Sequence, residues 1–350
     1  FFAFGVLFAE PFRSWQKRWY AWGPLAAAIV VFYTVTVQRI VTAETPVYEG
    51  ARIFQSDAYA VGGYLMQDRA VFYLLGFGTV LAQYVTSNSD TKVTAVVSNG
   101  SQDNVEQMDM NTAQLGFVQS DVMSYAYNGE RLFEGVPVTN FSTVAALYME
   151  QVQIVTLDPN IKSVADLKGK NVSIGSSGSG VYYNALDILG AYDLTEEDIN
   201  PTFQSFGDSV DALQDGKIDA AFVVAGAPTT AVTSLATSRD VYLISLDEEH
   251  IAKLKETSPY YTESTIAADV YGTAEDCTTV AVGAIVIARD DVSQQDVYNF
   301  ISTIYENIDS LSHDKAKELD LEFAASVTNI PYHPGAAQYF AEKGIEVPTK

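Results

Sequence analysis

Apolar and polar residues alternate along most of this chain at two periods, and the changes of period mark out its elements. Short runs rich in β-branched residues occur at 58–61, 92–97 (KVTAVV), 115–118, 171–174, 241–245 and 279–287, and each predicts a strand. Between them the spacing turns helical. Leu75, Thr79, Ala82, Tyr84 and Val85 follow Phe72 in this way, and residues 104–110 predict a second helix. Val181, Ala185, Leu186 and Leu189 predict a third. Val297, Phe300, Ile301, Ile304, Tyr305 and Ile308 fall on one face of a fourth. Ser163 with Asp166, and Ser293 with Asp296, have the spacing of capping boxes. Alternating strands and helices predict an α/β protein with largely parallel sheets.

The stretch 163–230 organises the rest. A strand breaks at Gly175 into GSSGSG and opens directly into a helix, which leaves free backbone N–H groups at a helix N-terminus. A flexible linker is the competing reading of such a run. No Gly-Lys-Ser/Thr closes it, so it is not a nucleotide P-loop. The expected guest is a small carboxylate or similar anion. Ser176, Ser177, Ser179 and Gly180 would present hydroxyls and N–H groups to it. Ala225, Gly226 and Ala227 follow the strand AAFVV, where small residues let backbone approach a ligand. From the other side come Ser98 and Asn99 at one strand end and Gln119 and Ser120 at the next, with the Tyr73 hydroxyl as a cover. For each polar residue taken alone, a turn or helix cap is an equal reading. Glu150 and Gln151 fall where the chain crosses between two lobes, with Glu150 a possible hinge residue. Arg69 offers a cation, against the commoner reading of a solvated loop charge. His333-Pro334-Gly335 reads as a structural turn.

The N-terminus reads as membrane. Residues 11–22 (PFRSWQKRWYAW) are aromatic and basic, and 23–37 (GPLAAAIVVFYTVTV) are uncharged and apolar. Counted from Trp19 the helix would be about 28 Å long, enough to span. Arg13, Lys17 and Arg18 would stay cytoplasmic, sending everything after Arg39 outside. A cleaved signal peptide is the alternative, with residues 41–43 only a weak cleavage site.

The formal charge of -24 over 350 residues argues against nucleic acid as a partner. Cys277 is the single cysteine, so neither an internal disulfide nor a multi-Cys metal site is available. His250, His313 and His333 show no ligand spacing, and no metal or cofactor is expected. Neither a Gly-x-Ser-x-Gly elbow nor a catalytic carboxylate pair is present, which argues against an enzyme.

The ordered runs LGFVQSDVMSYAYNGERLFEGVPV, VAALYMEQVQIVT, SVADLKGKNVSIGSSGSGV, DALQDGKIDAAFVVAGAPT and IPYHPGAAQYFAEKGI resemble the TAXI family, the extracytoplasmic solute-binding proteins of TRAP transporters. The resemblance runs from about Val71 to Val347. It implies a two-lobed periplasmic-binding-protein-like fold of type II. It also implies that a glutamate-like amino acid or dicarboxylate is captured between the lobes and delivered to a TRAP-type permease. Phe72-Tyr73-Leu74-Leu75-Gly76 matches the second half of the family's first loop, whose first half here reads AVGGYLMQDRA. The expected organisation is a membrane anchor at 1–40, a linker at 41–56, lobe 1 at 57–151 and 283–350, and lobe 2 at 152–282. The expected location is periplasmic, tethered to the inner membrane by contact with the lipid bilayer. A membrane-tethered structural or sensory subunit that reuses the fold is the alternative function.

Overall fold

A computed structural model of the chain describes residues 76–350. The expected anchor, the linker, the strand at 58–61, Arg69 and Tyr73 lie outside the described residues. Among the described residues no helix is long and apolar enough to cross a membrane.

Helix α1 (Phe77–Asn88) buries Phe77, Leu81, Ala82 and Val85 on one stripe. Helix α2 (Ser101–Asp109) starts at Gly100, whose φ of 126° favours glycine. Strand β1 (Leu115–Gln119) runs directly into α3 (Ser120–Asn128), which Gly129 closes in the left-handed conformation. Then comes β2 (Phe141–Thr156), the longest strand. Ser163 and Asp166 form the expected capping box, on a 3-10 turn, before β3 (Asn171–Ser173). The glycine–serine run leads into α4 (Gly180–Ala191), as the spacing predicts. Next in order are β4 (Asn200–Thr202), α5 (Phe206–Gln214), β5 (Ala220–Ala225), α6 (Thr230–Ala236), β6 (Tyr242–Leu243), α7 (Glu248–Thr257) and β7 (Thr262–Ile266). Strand β8 (Cys277–Arg289) precedes α8 (Gln294–Tyr305), which Ser293 caps by accepting from the Asp296 N–H. Two more helices, α9 (Leu321–Ala324) and α10 (Pro334–Glu342), follow. His333 caps α10, in keeping with its reading as a structural turn.

One sheet runs through these elements in the order β1-β8-β2-β5-β3-β4, with β6 added to β2 and β7 to β8. Its pairings correct the expectation of largely parallel sheets. Among the described residues only β3 with β4 and β3 with β5 are parallel ladders, and the other five strand pairings are antiparallel. The physical reason is the pair β2 and β8, two long strands that run against each other over residues 141–151 and 281–289. Strands β5 and β6 join one end of that pair, and β1 and β7 add to β8, all in the opposite sense to their neighbour. Residues 92–97 also differ from expectation. They form no strand among the described residues, and Val96 and Val97 are exposed.

The cores divide the sheet into two halves. One apolar cluster joins residues from 77–147 with residues from 285–340. Two others, one on each face of the remaining strands, are built from residues between Val152 and Val282. Strands β2 and β8 pass from one half to the other. Tyr183 of α4 crosses the divide and packs in the first cluster.

Candidate ligand-binding site

A cavity of about 330 Å³ lies where the two halves meet. This is the small end of the range of about 300–1,000 Å³ for small-molecule sites. Four helices begin at its wall: α2 at Gly100 and Ser101, α3 after Gln119, α4 at Ser179 and Gly180, and α5 at Ser205 and Phe206. Gly100, Gln119 and Ser179 make no side-chain capping bond, whereas Ser205 caps its own helix by accepting from the Asp208 N–H. Each helix start carries the positive end of its backbone dipole, so the wall suits negative charge.

Two buried polar atoms at this wall have no partner, Gln119 Oε1 and Ser179 Oγ. Buried polar atoms are normally paired, so unpaired ones on residues that line a cavity suit a ligand reached by a side-chain rotation. The Ser179 hydroxyl can donate, and the Gln119 amide can present either its oxygen or its nitrogen by rotating. Gly180 lets this happen. A Cβ there would lie 1.8 Å from Gln119 Oε1.

Glu150 also lines the cavity and is the only charged residue of β2. Burial pushes its carboxyl up to about 7, a Gln119 hydrogen bond and Lys315 pull it back, and Asp121 adds to the rise. Asp121, in the first turn of α3, is fully buried and likewise pushed up to about 7, chiefly by burial.

A polar seam beside the cavity ties the halves together. The Asn184 side-chain amide donates to Asp121 Oδ2 at 2.9 Å and to the Tyr261 hydroxyl at 2.8 Å. Tyr261 in turn donates to Asp187, which also accepts from Arg131 at 2.5 Å. Burial raises the Asp187 carboxyl above its ordinary value, and Arg131 opposes this. The Asp103 N–H reaches the Gly178 carbonyl at 3.1 Å, and Gly100 packs against Ser179.

Of the expected site residues, Ser98, Asn99, Gln119, Ser176, Ser179 and Gly180 come together at the cavity. Ser177 instead lines an open cleft outside it, beside Asp208, Asp211 and Asp215. Ser120 lies off the cavity lining, and its hydroxyl accepts from the Gly283 N–H and ties α3 to β8. Ala225, Gly226 and Ala227 lie outside the cavity lining as well. The Ala225 carbonyl accepts from Gln153, and the Ala227 N–H donates to Gln151. A Cβ on Gly226 would meet the Lys315 side chain at 2.3 Å, so these small residues make room for a lysine. Val224 is the residue of that strand which reaches the cavity. Sequence reasoning missed Phe117, Tyr148 and Glu150 as cavity residues. A lone acid in the apolar run FSTVAALYMEQVQIVT was the available signal for the last.

Two α/β halves joined by a pair of crossing strands, with a partly open cavity between them, make a periplasmic-binding-protein-like fold. The chain belongs to the NMT1-like family, whose model matches residues 70–344. That match replaces the TAXI resemblance and removes the basis for delivery to a TRAP permease. Similar solved structures include the alkanesulfonate-binding protein SsuA from Xanthomonas axonopodis pv. citri bound to MOPS. It is 17% identical, with 75% of this chain and 76% of that one covered and a TM-score of 0.42. The amino acid ABC transporter substrate-binding protein AbpA from Streptococcus pneumoniae, bound to L-arginine, is 18% identical over 70% and 84% of the chains, with a TM-score of 0.41. A putative L-cystine ABC transporter protein from Listeria monocytogenes is 14% identical over 71% and 88%, with a TM-score of 0.45.

Proposed function

We propose that the chain is a non-catalytic solute-binding protein that encloses a small carboxylate between its halves and presents it, outside the cytoplasm, to a membrane permease. One observation carries the reading: three helix N-termini without side-chain caps meet at a cavity where Gln119 Oε1 and Ser179 Oγ are buried and unpartnered. Glutamate-like amino acids and dicarboxylates are of a size to suit about 330 Å³. The formed cavity favours this role over a tethered structural or sensory subunit that has lost its ligand.

The test is thermal melting and calorimetric titration of the protein with L-glutamate, glutarate, pyruvate and methanesulfonate. A carboxylate at a hundred times its Kd should raise stability by about 2.7 kcal/mol. No shift with any of the four, from a folded and ligand-free sample, would sink the reading.

A further inference from the structure

Glu150 places a carboxyl inside a cavity whose walls otherwise favour an anion. Its surroundings can be taken element by element. On its own strand stands the Tyr148 hydroxyl, and at the end of β1 stands Gln119, within hydrogen-bonding reach. Helix α3 contributes a second carboxyl, Asp121. The 3-10 turn Asp314–Glu318 contributes the Lys315 ammonium, already held by Glu318 at 2.5 Å and by the Ala227 carbonyl at 3.0 Å. Glu318 itself lies near Tyr148. From the second half, the cavity meets Ser176, Ser179, Val181, Ser205, Phe206 and Val224, none of which carries charge. No cation is therefore free to neutralise both an ionised Glu150 and a bound anion among the described residues.

We propose that Glu150 is the specificity-determining residue of the cavity: an anion enters together with one proton, which Glu150 takes up and whose O–H then donates a hydrogen bond to the anion. The proton comes from solvent and returns there when the anion leaves, so no other reactant is needed. Two negative charges in so small a cavity repel, while a neutral carboxyl adds a donor to the helix N-termini. Burial supports the assignment by raising this group to about 7 in the empty cavity, so that at neutral pH about half of the molecules still have the proton to take up. The inference rests on the carboxylate reading above and adds a proton to it.

The experiment titrates the full chain with glutarate, pyruvate and L-glutamate at pH 6, 7 and 8. Each titration is done in two buffers of different protonation enthalpy. Glutarate or pyruvate should bind with a proton uptake that rises from about 0.1 at pH 6 through about 0.5 at pH 7 to about 0.9 at pH 8, and its affinity should fall about tenfold over that range. Glu150→Gln should abolish both the uptake and that pH dependence; the buffer comparison on the unaltered chain stands even if the variant folds poorly. Binding without proton uptake, or an uptake that survives in E150Q, overturns the inference and leaves the carboxylate reading standing. Binding of L-glutamate alone, weakening towards acid, also overturns it, because Glu150 would then be the ionised partner of an ammonium group. No binding by any of the three overturns the inference together with the reading beneath it.

Discussion

Replacing Gly180 with alanine should disable the cavity without altering any residue that donates to the ligand. Gly180 is the first residue of α4, in helical backbone, so its lack of a side chain answers a need for space. A methyl group there would lie 1.8 Å from Gln119 Oε1, 2.5 Å from Gln119 Cδ and 3.1 Å from Ser101 Oγ. The amide must retreat by about 1.2 Å merely to restore a separation of 3.0 Å. It then loses its place at the wall, and with it the hydrogen bond it would make to a bound carboxylate. A hydrogen bond to a charged group is worth about 1.5–3 kcal/mol. Carboxylate affinity should therefore fall by about 10- to 150-fold. The fold should be spared, because alanine is favoured over glycine in a helix by up to about 1 kcal/mol and the displaced group is a side-chain end. Calorimetric titration of the parent and of G180A with the same carboxylate measures the first effect, and melting without ligand measures the second. An affinity within about threefold of the parent would refute the reasoning. So would a loss of thermal stability that matches the loss of affinity, since the damage would then be to the fold.

The buried acids make further predictions. Asp121 is raised from 3.8 to about 7 on folding, so the folded state holds its proton where the unfolded state has released it. Its contribution to stability is full below about pH 4, declines as pH rises towards 7 and is flat above that. Asp121→Asn should shallow this decline and raise stability at pH 8, by at most roughly 4 kcal/mol at about 1.4 kcal/mol per unit. Urea unfolding between pH 4 and 8 measures it, and an unchanged slope would count against a neutral Asp121. Arg131→Met leaves the buried Asp187 with the Tyr125 hydroxyl alone across the seam, beside Tyr261 of its own half. Because the Arg131 side chain is 44% exposed, the cost should be about 1–2 kcal/mol rather than that of a fully buried pair. Ligand release, followed by stopped flow, should quicken with it; an unchanged release rate would show that the seam does not hold the halves closed.

Much of the cavity was legible because its parts are local. The strand–GSSGSG–helix unit needs only neighbouring residues, and Ser163 and Ser293 announce their caps three residues ahead of Asp166 and Asp296. The residues at Gln119 and Ser179 follow from strand ends, which the pattern locates well. What failed was long-range. Ser120 and Gln119 are adjacent and both polar, yet Gly283 takes the hydroxyl of one and the cavity receives the amide of the other. No local pattern distinguishes them. Ala225, Gly226 and Ala227 were read as a place where backbone approaches a ligand, whereas in the structure the group against Gly226 is Lys315, 89 residues beyond it in the chain. Strand direction was misread for the same reason. The antiparallel course of β2 against β8 joins residues 141–151 to 281–289, across the whole second half.

That crossing also sets an order of assembly. The second half is one unbroken stretch of chain, and its clusters are complete once Val282 has been made. The first half is not, since Phe141, Val144 and Leu147 need Ile285, Phe300 and Phe340 to bury them. At about 5–20 residues per second, the roughly 140 residues from Leu147 to Ile285 take about 7–30 s to synthesise. Throughout that interval the 141–147 end of β2 lacks its partners from β8, α8 and α10, while the stretch downstream of it can already fold. Aggregation and chaperone capture during synthesis are therefore risks concentrated on residues 141–147 of the growing chain.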